Sequence, residues 1–489
     1  LVSWHPPATG DLAASALPRP LRVAAMVQQL LDDGFVNEIV NSPGTDIAAL
    51  GDLFVLDPSR TAAFVTSYYR RDRLQSSEIE QDLRAAIDGI NDCLPALRGS
   101  DLASTTPLHD LHPRARELAI LLLLERFSTA LESMNSSKPL ALFAIPWLRT
   151  GGSDKEAMRL AAALSATHAV ILLSTEASEP ERPDWLESAT QWVSAADLLE
   201  PFTGSERADI LYGVVAELPA KWLIIENSRD ALACVQNYGA QLSELTRVAV
   251  MFFCFDGPPM EPWFGHSAEF GATATRHAKL ILTDGSHHRQ ELLDMFHPDP
   301  RAIVSLPAPH DGIPKTPWSP PAIGARPRVI WAGRASRQKR LDLLLDIARL
   351  LPDVTFDVWG VDDVDGIKGS PANVVARGQF TTLKQTEWRD ASALLLTSSW
   401  EGLPNILIEA GSLGLPVIAS GVGSVSDLID SDTGWRVDEV EEVTDYVSVL
   451  QEALDAPIEA QRRGGALQER VRARHDPSEY LRSVEELFR

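Results

Sequence analysis

The sequence predicts an α/β protein of two parallel-sheet domains, joined by a proline-rich connector and preceded by a mainly helical extension. Three observations predict it. From residue 138 onward, short uncharged apolar runs alternate with segments of helical periodicity. Two such series are separated by prolines at 307, 309, 314, 317, 320, 321 and 327, which stiffen the chain and exclude regular structure between them. The stretch Ala393 to Ser420, ALLLTSSWEGLPNILIEAGSLGLPVIAS, reads as buried strand, turn, helix and second strand, which is the crossover unit of a parallel sheet.

Residues 1–137 form the extension. LVSWHPPATGDLAASALPRP is rich in Pro and Ala and reads as loop or linker. Helical spacing follows at 23–32 and 76–97, and it is strongest from Ala115 to Met134. Tyr68-Tyr69-Arg70-Arg71-Asp72-Arg73 is a cationic and aromatic cluster. It fits a solvated helix face; the sharper reading is peripheral contact with anionic headgroups or a lipid-linked acceptor. Because the chain opens on Leu1 without a signal-peptide pattern, it is expected to be a trimmed form or an excerpt of a longer protein.

Residues 138–309 open with the strand LALFAI, continue through WLRTGGSDKEAMRLAAALS and reach the strand HAVILLS. Gly151 and Gly152 stand at a helix start, where exposed amides favour an anion, although a simple turn accounts for them equally well. Further strands are expected at 222–225, 247–253 and 279–283. His287 and His288 look superficially like a metal pair, but no carboxylate or cysteine accompanies them at ligand spacing, so they read as a helix-entry surface.

Residues 310–327 are the connector, and 328–474 form the second domain. RVIWA (328–332) is a strand, and Gly333 turns the chain. Arg334, Arg337, Lys339 and Arg340 then crowd the start of the helix LDLLLDIARLL. The macrodipole disfavours cations there, so the arrangement makes most sense around an anion, and an Arg and Lys pair suits a diphosphate. Strands at 356–359 and 373–376 end near Gly360 and Gly378. In the crossover unit, Pro404 falls in the first helical turn, and Leu403, Ile406, Leu407, Ala410 and Leu413 form the inward stripe. Glu401 is left at the mouth of the unit and Glu409 on the helix flank, beside the carboxyl ends of the strands where ligands of such sheets sit.

Composition bounds the rest. A net charge of −24 excludes a general nucleic-acid surface, so any phosphate site is local. Cys93, Cys234 and Cys254 have no paired spacing, which suits a reducing compartment and buried apolar roles. No apolar run reaches the roughly 20 residues that a membrane-spanning helix needs.

Glu401-Gly402-Leu403-Pro404-Asn405 with Glu409, followed by Gly414-Leu415-Pro416-Val417-Ile418-Ala419, resembles the E-x7-E signature of family-four retaining glycosyltransferases. The resemblance covers 138–489 and is strongest over 328–437. It implies the GT-B fold, two Rossmann-like domains facing across a cleft, with 475–489 as a closing helix packed back across both. It implies transfer of a sugar from a nucleoside-diphosphate sugar to a hydroxyl of a glycan or lipid-linked glycan, with retention and without metal or resident cofactor. Glu401 would hold donor-sugar hydroxyls and Glu409 the ribose. The turn Gly402, Leu403, Pro404 and Asn405 would contact the donor, and Phe380 to Thr382 the nucleobase. The spacing G-R-x4-K maps the family's diphosphate site onto Arg334 and Lys339, with Arg340 where many relatives have glycine. Gly151 and Gly152 resemble the glycine loop set against the diphosphate, and Thr283 to Ser286 a strand-end serine turn. The family's histidine in the first domain has no counterpart. Cys254-Phe255-Asp256 stands near that point, and Asp256, Asn227 and His266 are candidates for the same wall on position alone, with structural roles preferred. Bacterial surface polysaccharide or glycoconjugate synthesis, in the cytoplasm or at the inner membrane face, is the implied setting. A nucleotide-sugar epimerase and a noncatalytic sugar-nucleotide-binding module are the alternatives.

Overall fold

The structure, a computed structural model, describes residues 115–257, 263–362 and 370–489. The readings made on 1–114, including the Tyr68 to Arg73 cluster and Cys93, lie outside the described residues.

In chain order the elements are α1 (Ala115–Met134), β1 (Leu140–Ile145), α2 (Gly152–Ser165), β2 (Ala169–Ser174), β3 (Gln191–Ser194), α3 (Ala196–Leu199), α4 (Gly204–Glu217), β4 (Ala220–Glu226), α5 (Arg229–Leu245) and β5 (Arg247–Met251). They continue with α6 (His266–His277), β6 (Leu280–Thr283), α7 (Ser286–Phe296), β7 (Ile303–Ser305), β8 (Arg328–Ala332), α8 (Leu341–Leu350), β9 (Thr355–Trp359) and β10 (Val374–Gly378). The last are β11 (Ala393–Leu396), α9 (Asn405–Leu413), β12 (Val417–Ser420), β13 (Trp435–Val437), α10 (Val443–Asp455), α11 (Pro457–Arg474) and α12 (Pro477–Leu487).

The described residues form two parallel sheets. One runs in the order β3-β2-β1-β4-β5-β6-β7, the other β10-β9-β8-β11-β12-β13. Their central strands are almost wholly apolar because helices cover both faces: every residue of β1, β2, β11 and β12 is buried, and only Ser174 and Ser420 at the strand ends are polar. Register in the second sheet sets Ala393 against Val329 and Leu394 against Val417, so β8, β11 and β12 end side by side. That brings the loops following β8 and β11 to one edge.

By their packing the described residues form two units, 115–149 with 164–249, and 150–163 with 250–489. This division differs from the expected boundaries at 138 and 309. In the first unit, α1 packs on α4 so closely that a side chain at Gly213 would strike Ile120. Arg126 of α1 pairs with Asp197 at 2.6 Å. Helix α1, read above as part of the extension, thus belongs to this unit.

In the second unit the core gathers Trp318, Trp331, Phe356 and Tyr446 around the six-stranded sheet. The connector has no helix or strand, as its prolines require. It is nonetheless anchored: Trp318 is buried, its indole N–H donates to the Ala391 carbonyl at 2.7 Å, and its amide donates to the Leu413 carbonyl at 2.9 Å. Among the described residues no helix is long and apolar enough to cross a membrane.

Candidate active site

The loops after β8 and β11 meet in the second unit. Thr397, at the end of β11, donates its hydroxyl to the Lys339 carbonyl at 2.8 Å and accepts from the Trp331 indole at 2.9 Å. Ser399 donates its amide to the Gln338 carbonyl at 2.9 Å. The cationic loop is therefore laced to the strand end that leads into Glu401.

Lys339 Nζ donates to Glu401 Oε1, an ion pair in which the Lys339 side chain is 17% and the Glu401 side chain 7% exposed. Gln338 Nε2 reaches the Trp400 carbonyl at 2.9 Å and Glu401 Oε2 at 3.4 Å. Glu401, expected at the mouth, is buried. Arg334 is exposed and makes no ion pair or hydrogen bond through its side chain among the described residues. Arg340 does not join it: the guanidinium turns to Asp342, Glu441 and Ser399. Its φ is +54°, the left-handed region that glycine occupies without strain. The expectation that four cations crowd one anion site is thus corrected at Arg340, whose charge is compensated by carboxylates.

The glycines around Glu401 are fixed by contact. Gly423 has φ +52°, and a Cβ there would lie 1.9 Å from the Glu401 carbonyl oxygen. A Cβ at Gly402 would meet Asp284 Oδ2 at 2.3 Å and the Phe253 carbonyl at 2.6 Å. Gly402→Ala is accordingly expected to destabilise the protein by about 1–3 kcal/mol through overpacking, read from denaturant midpoints against wild type.

Asp284 was placed by sequence in a serine turn, and the structure makes it the anchor of the signature loop. It is buried, and its Oδ2 accepts the Leu403 N–H at 2.8 Å, while Oδ1 has no hydrogen-bond partner among the described residues. Burial, reinforced by the neighbouring charges of Glu156 and Glu401, pushes its carboxyl up to about 8. Within the turn 402–405 the Leu403 amide is thus taken by Asp284, and Pro404 has no amide hydrogen to offer a ligand.

Glu409 has both carboxylate oxygens engaged. Oε1 accepts from Lys155 Nζ at 2.9 Å, and Oε2 from the Leu383 amide at 2.7 Å. Lys155 and Arg159, one turn apart on α2, also hold Asp311 at 2.8 Å each. Arg159 donates to Asn405 Oδ1 at 2.9 Å, and Asn405 Nδ2 donates to the Gly152 carbonyl at 3.3 Å. Gly152, Asn405 and Glu409 are therefore brought together through Lys155 and Arg159, with Gly151 next to Gly152 in the chain. Lys155, Arg159 and Asp311 were missed, although KEAMR one helical turn past Gly-Gly carries both cations on one face. Thr382 caps the turn that presents the Leu383 amide, and Phe380 lies edge-on to Trp359, with centroids 6.4 Å apart.

At the position of the missing histidine, Asp256 accepts from the Trp400 indole at 3.2 Å and contacts the Cys254 thiol at 3.7 Å. Burial raises both acids above their ordinary ranges, Cys254 further through the charges of Asp256, Glu401 and Asp284. Asn227 belongs to the first unit, where its side chain donates to Glu226 at 2.5 Å. The two histidines of the helix entry diverge. His287 is exposed, whereas His288 is buried, bonded to Ser267 at 3.1 Å and Glu291 at 2.9 Å. Among the described residues no group of three or more His, Cys, Asp or Glu could hold a metal.

Residues 326–455 match the family described as glycosyl transferases group 1. D-inositol 3-phosphate glycosyltransferase of Mycolicibacterium gilvum is 27% identical over 172 residues, 30% of this chain and 38% of that protein. The match thus spans well under half of that relative. Among solved structures, the apo form of the lipopolysaccharide outer core galactosyltransferase WaaB superposes with TM-score 0.56 at 16% identity, covering 71% of this chain and 98% of that one. Anabaena HepE in complex with UDP and glucose superposes at 0.53 and 12% identity, covering 71% and 98%. The fold is GT-B, with two Rossmann-like parallel-sheet domains. Within it, residues 326–455 are the part similar to group 1 glycosyltransferases.

Proposed function

We propose that this protein transfers a sugar from a nucleoside-diphosphate sugar to a hydroxyl of a glycan or lipid-linked glycan acceptor, with retention at the anomeric carbon. The observation that carries the reading is the Lys339 and Glu401 pair, delivered from the ends of the adjacent strands β8 and β11. A fixed cation and a carboxylate side by side suit a ligand that is diphosphate at one end and polyol at the other. Arg334 and Lys339 counter the charge growing on the leaving diphosphate, which is electrostatic stabilisation by preorganised groups and requires no metal. Glu401 accepts donor-sugar hydroxyls. Because it is engaged there, departure and attack on one face of the sugar fit better than a carboxylate nucleophile beneath the ring. Glu409, presented by Lys155 and the Leu383 amide, takes the ribose, and the segment from Phe380 to Thr382 meets the base. Gly151, Gly152 and the turn 402–405 border the diphosphate and sugar. Synthesis of bacterial surface polysaccharide or glycoconjugate, on the cytoplasmic side, is the setting that follows from the resemblance.

A thermal-shift panel of GDP, UDP, TDP and ADP with their sugar conjugates tests the donor reading. One nucleotide is expected to raise the melting temperature of the wild type and not of Arg334→Ala. Saturating ligand stabilises by mass action, about 2.7 kcal/mol at a hundredfold excess over Kd. No response to any nucleotide would overturn it, and a shift that requires a divalent cation would overturn the metal-independent part.

A further inference from the structure

Trp263 is 43% and Phe264 49% exposed, and no other Phe, Tyr or Trp among the described residues is as open. They are held, not loose. The Trp263 indole stacks on the buried Phe255 ring at 4.5 Å with planes 1° apart, so one of its faces is backed while the residue stays 43% exposed. Phe264 lies edge-on to Trp400, with centroids 6.1 Å apart, and exchanges backbone hydrogen bonds with Asp256 at 2.9 and 3.1 Å. Trp400 adjoins Glu401 in the chain and donates to Asp256 Oδ1, while Asp256 Oδ2 makes no hydrogen bond among the described residues. Two rigid aromatic surfaces and an acceptor oxygen thus stand beside the proposed donor-sugar residue.

We propose that Trp263, Phe264 and Asp256 form a stacking subsite for a pyranose ring of the acceptor. The inference rests on the transferase reading above and names the acceptor's chemistry: a sugar ring, whose apolar C–H face lies on the aromatics and whose rim hydroxyl donates to Asp256. A pyranose has that division of surface, and a pocket of aromatic walls with few placed polar groups reads it. A lipid surface fits less well, because a carboxylate flanks the rings and the chain carries a net charge of −24, which opposes an anionic bilayer.

The test is saturation-transfer difference NMR with the methyl α-glycosides of glucose, galactose, mannose and N-acetylglucosamine. It compares wild type with the double variant Trp263→Ser/Phe264→Ser, the nucleotide-induced thermal shift being measured on both. Ring protons of at least one glycoside are expected to receive saturation in the wild type. Affinity in the double variant is expected to fall about tenfold or more, the fold-change of about 1.4 kcal/mol, with the nucleotide shift intact. Equal glycoside binding by wild type and variant would overturn the subsite, as would the absence of any glycoside signal in protein that binds nucleotide. Loss of phosphatidylglycerol-vesicle binding in the variant, with glycoside signals unchanged, would overturn it in favour of a membrane surface. Ring-dependent glycoside binding without any nucleotide shift would leave the subsite standing and refute the donor reading instead.

Discussion

Lys339→Ala and Arg334→Ala are each expected to lower turnover by about 10²–10³-fold, the cost of removing one preorganised group that faces developing charge. The two variants differ in what they do to the protein itself. Arg334 is exposed, with its side chain unpaired among the described residues, so its removal is expected to leave the melting temperature near that of wild type. Lys339 compensates the buried Glu401, so its removal strands a carboxylate and costs stability as well, about 1–3 kcal/mol for an unsatisfied buried group. Lys339→Arg keeps the charge and separates the two effects. Steady-state turnover measured beside denaturant midpoints checks this. Wild-type turnover in both alanine variants would remove the cationic loop from the chemistry.

Asp284→Asn is expected to abolish a loss of stability that wild type undergoes as pH rises. The Asp284 carboxyl is raised from 3.8 to about 8, first by burial and then by the charges of Glu156 and Glu401. Between those values the unfolded chain is ionised at this position while the folded protein holds the proton, so the folded state binds more protons. Stability contributed by the neutral carboxyl is complete below 3.8, falls through the interval, and is lost above about 8. Asparagine is neutral throughout and still accepts the Leu403 N–H. Asp284→Ala cannot accept it and costs about 1–3 kcal/mol at every pH. Calorimetric melting at pH 5 and at pH 8.5 decides: the gap between Asp284→Asn and wild type should widen in favour of the variant at the higher pH. A constant gap would mean that Asp284 is ionised in the fold.

The sequence made the two sheets legible where strands are central. LALFAI, VIWA after Arg328, and ALLL are continuous apolar runs because both their faces are covered, and the structure places β1, β8 and β11 at those runs. The three strands that went unread, β3, β7 and β13, are all at sheet edges. They span three or four residues and mix polar with apolar side chains, because an edge needs no long buried run. At the site, Arg334, Lys339, Glu401 and Glu409 stand out by charge and spacing. The groups that anchor the signature loop and Glu409 do not. Asp284 lies more than a hundred residues from Leu403 in the chain, and Lys155 more than two hundred from Glu409; only the packed second unit brings them into contact. Arg340 shows the opposite case, in which spacing suggests an anion ligand and the left-handed backbone turns the side chain to carboxylates.

The most direct test of the account is proton NMR of the protein incubated with the responding nucleotide sugar and the glycoside that binds it. The account predicts a new glycosidic anomeric signal with the donor's configuration, appearing with an equal amount of free nucleoside diphosphate and absent with Lys339→Ala. A donor that is bound but left intact, a donor epimerised without acceptor, or a product of inverted configuration would contradict it.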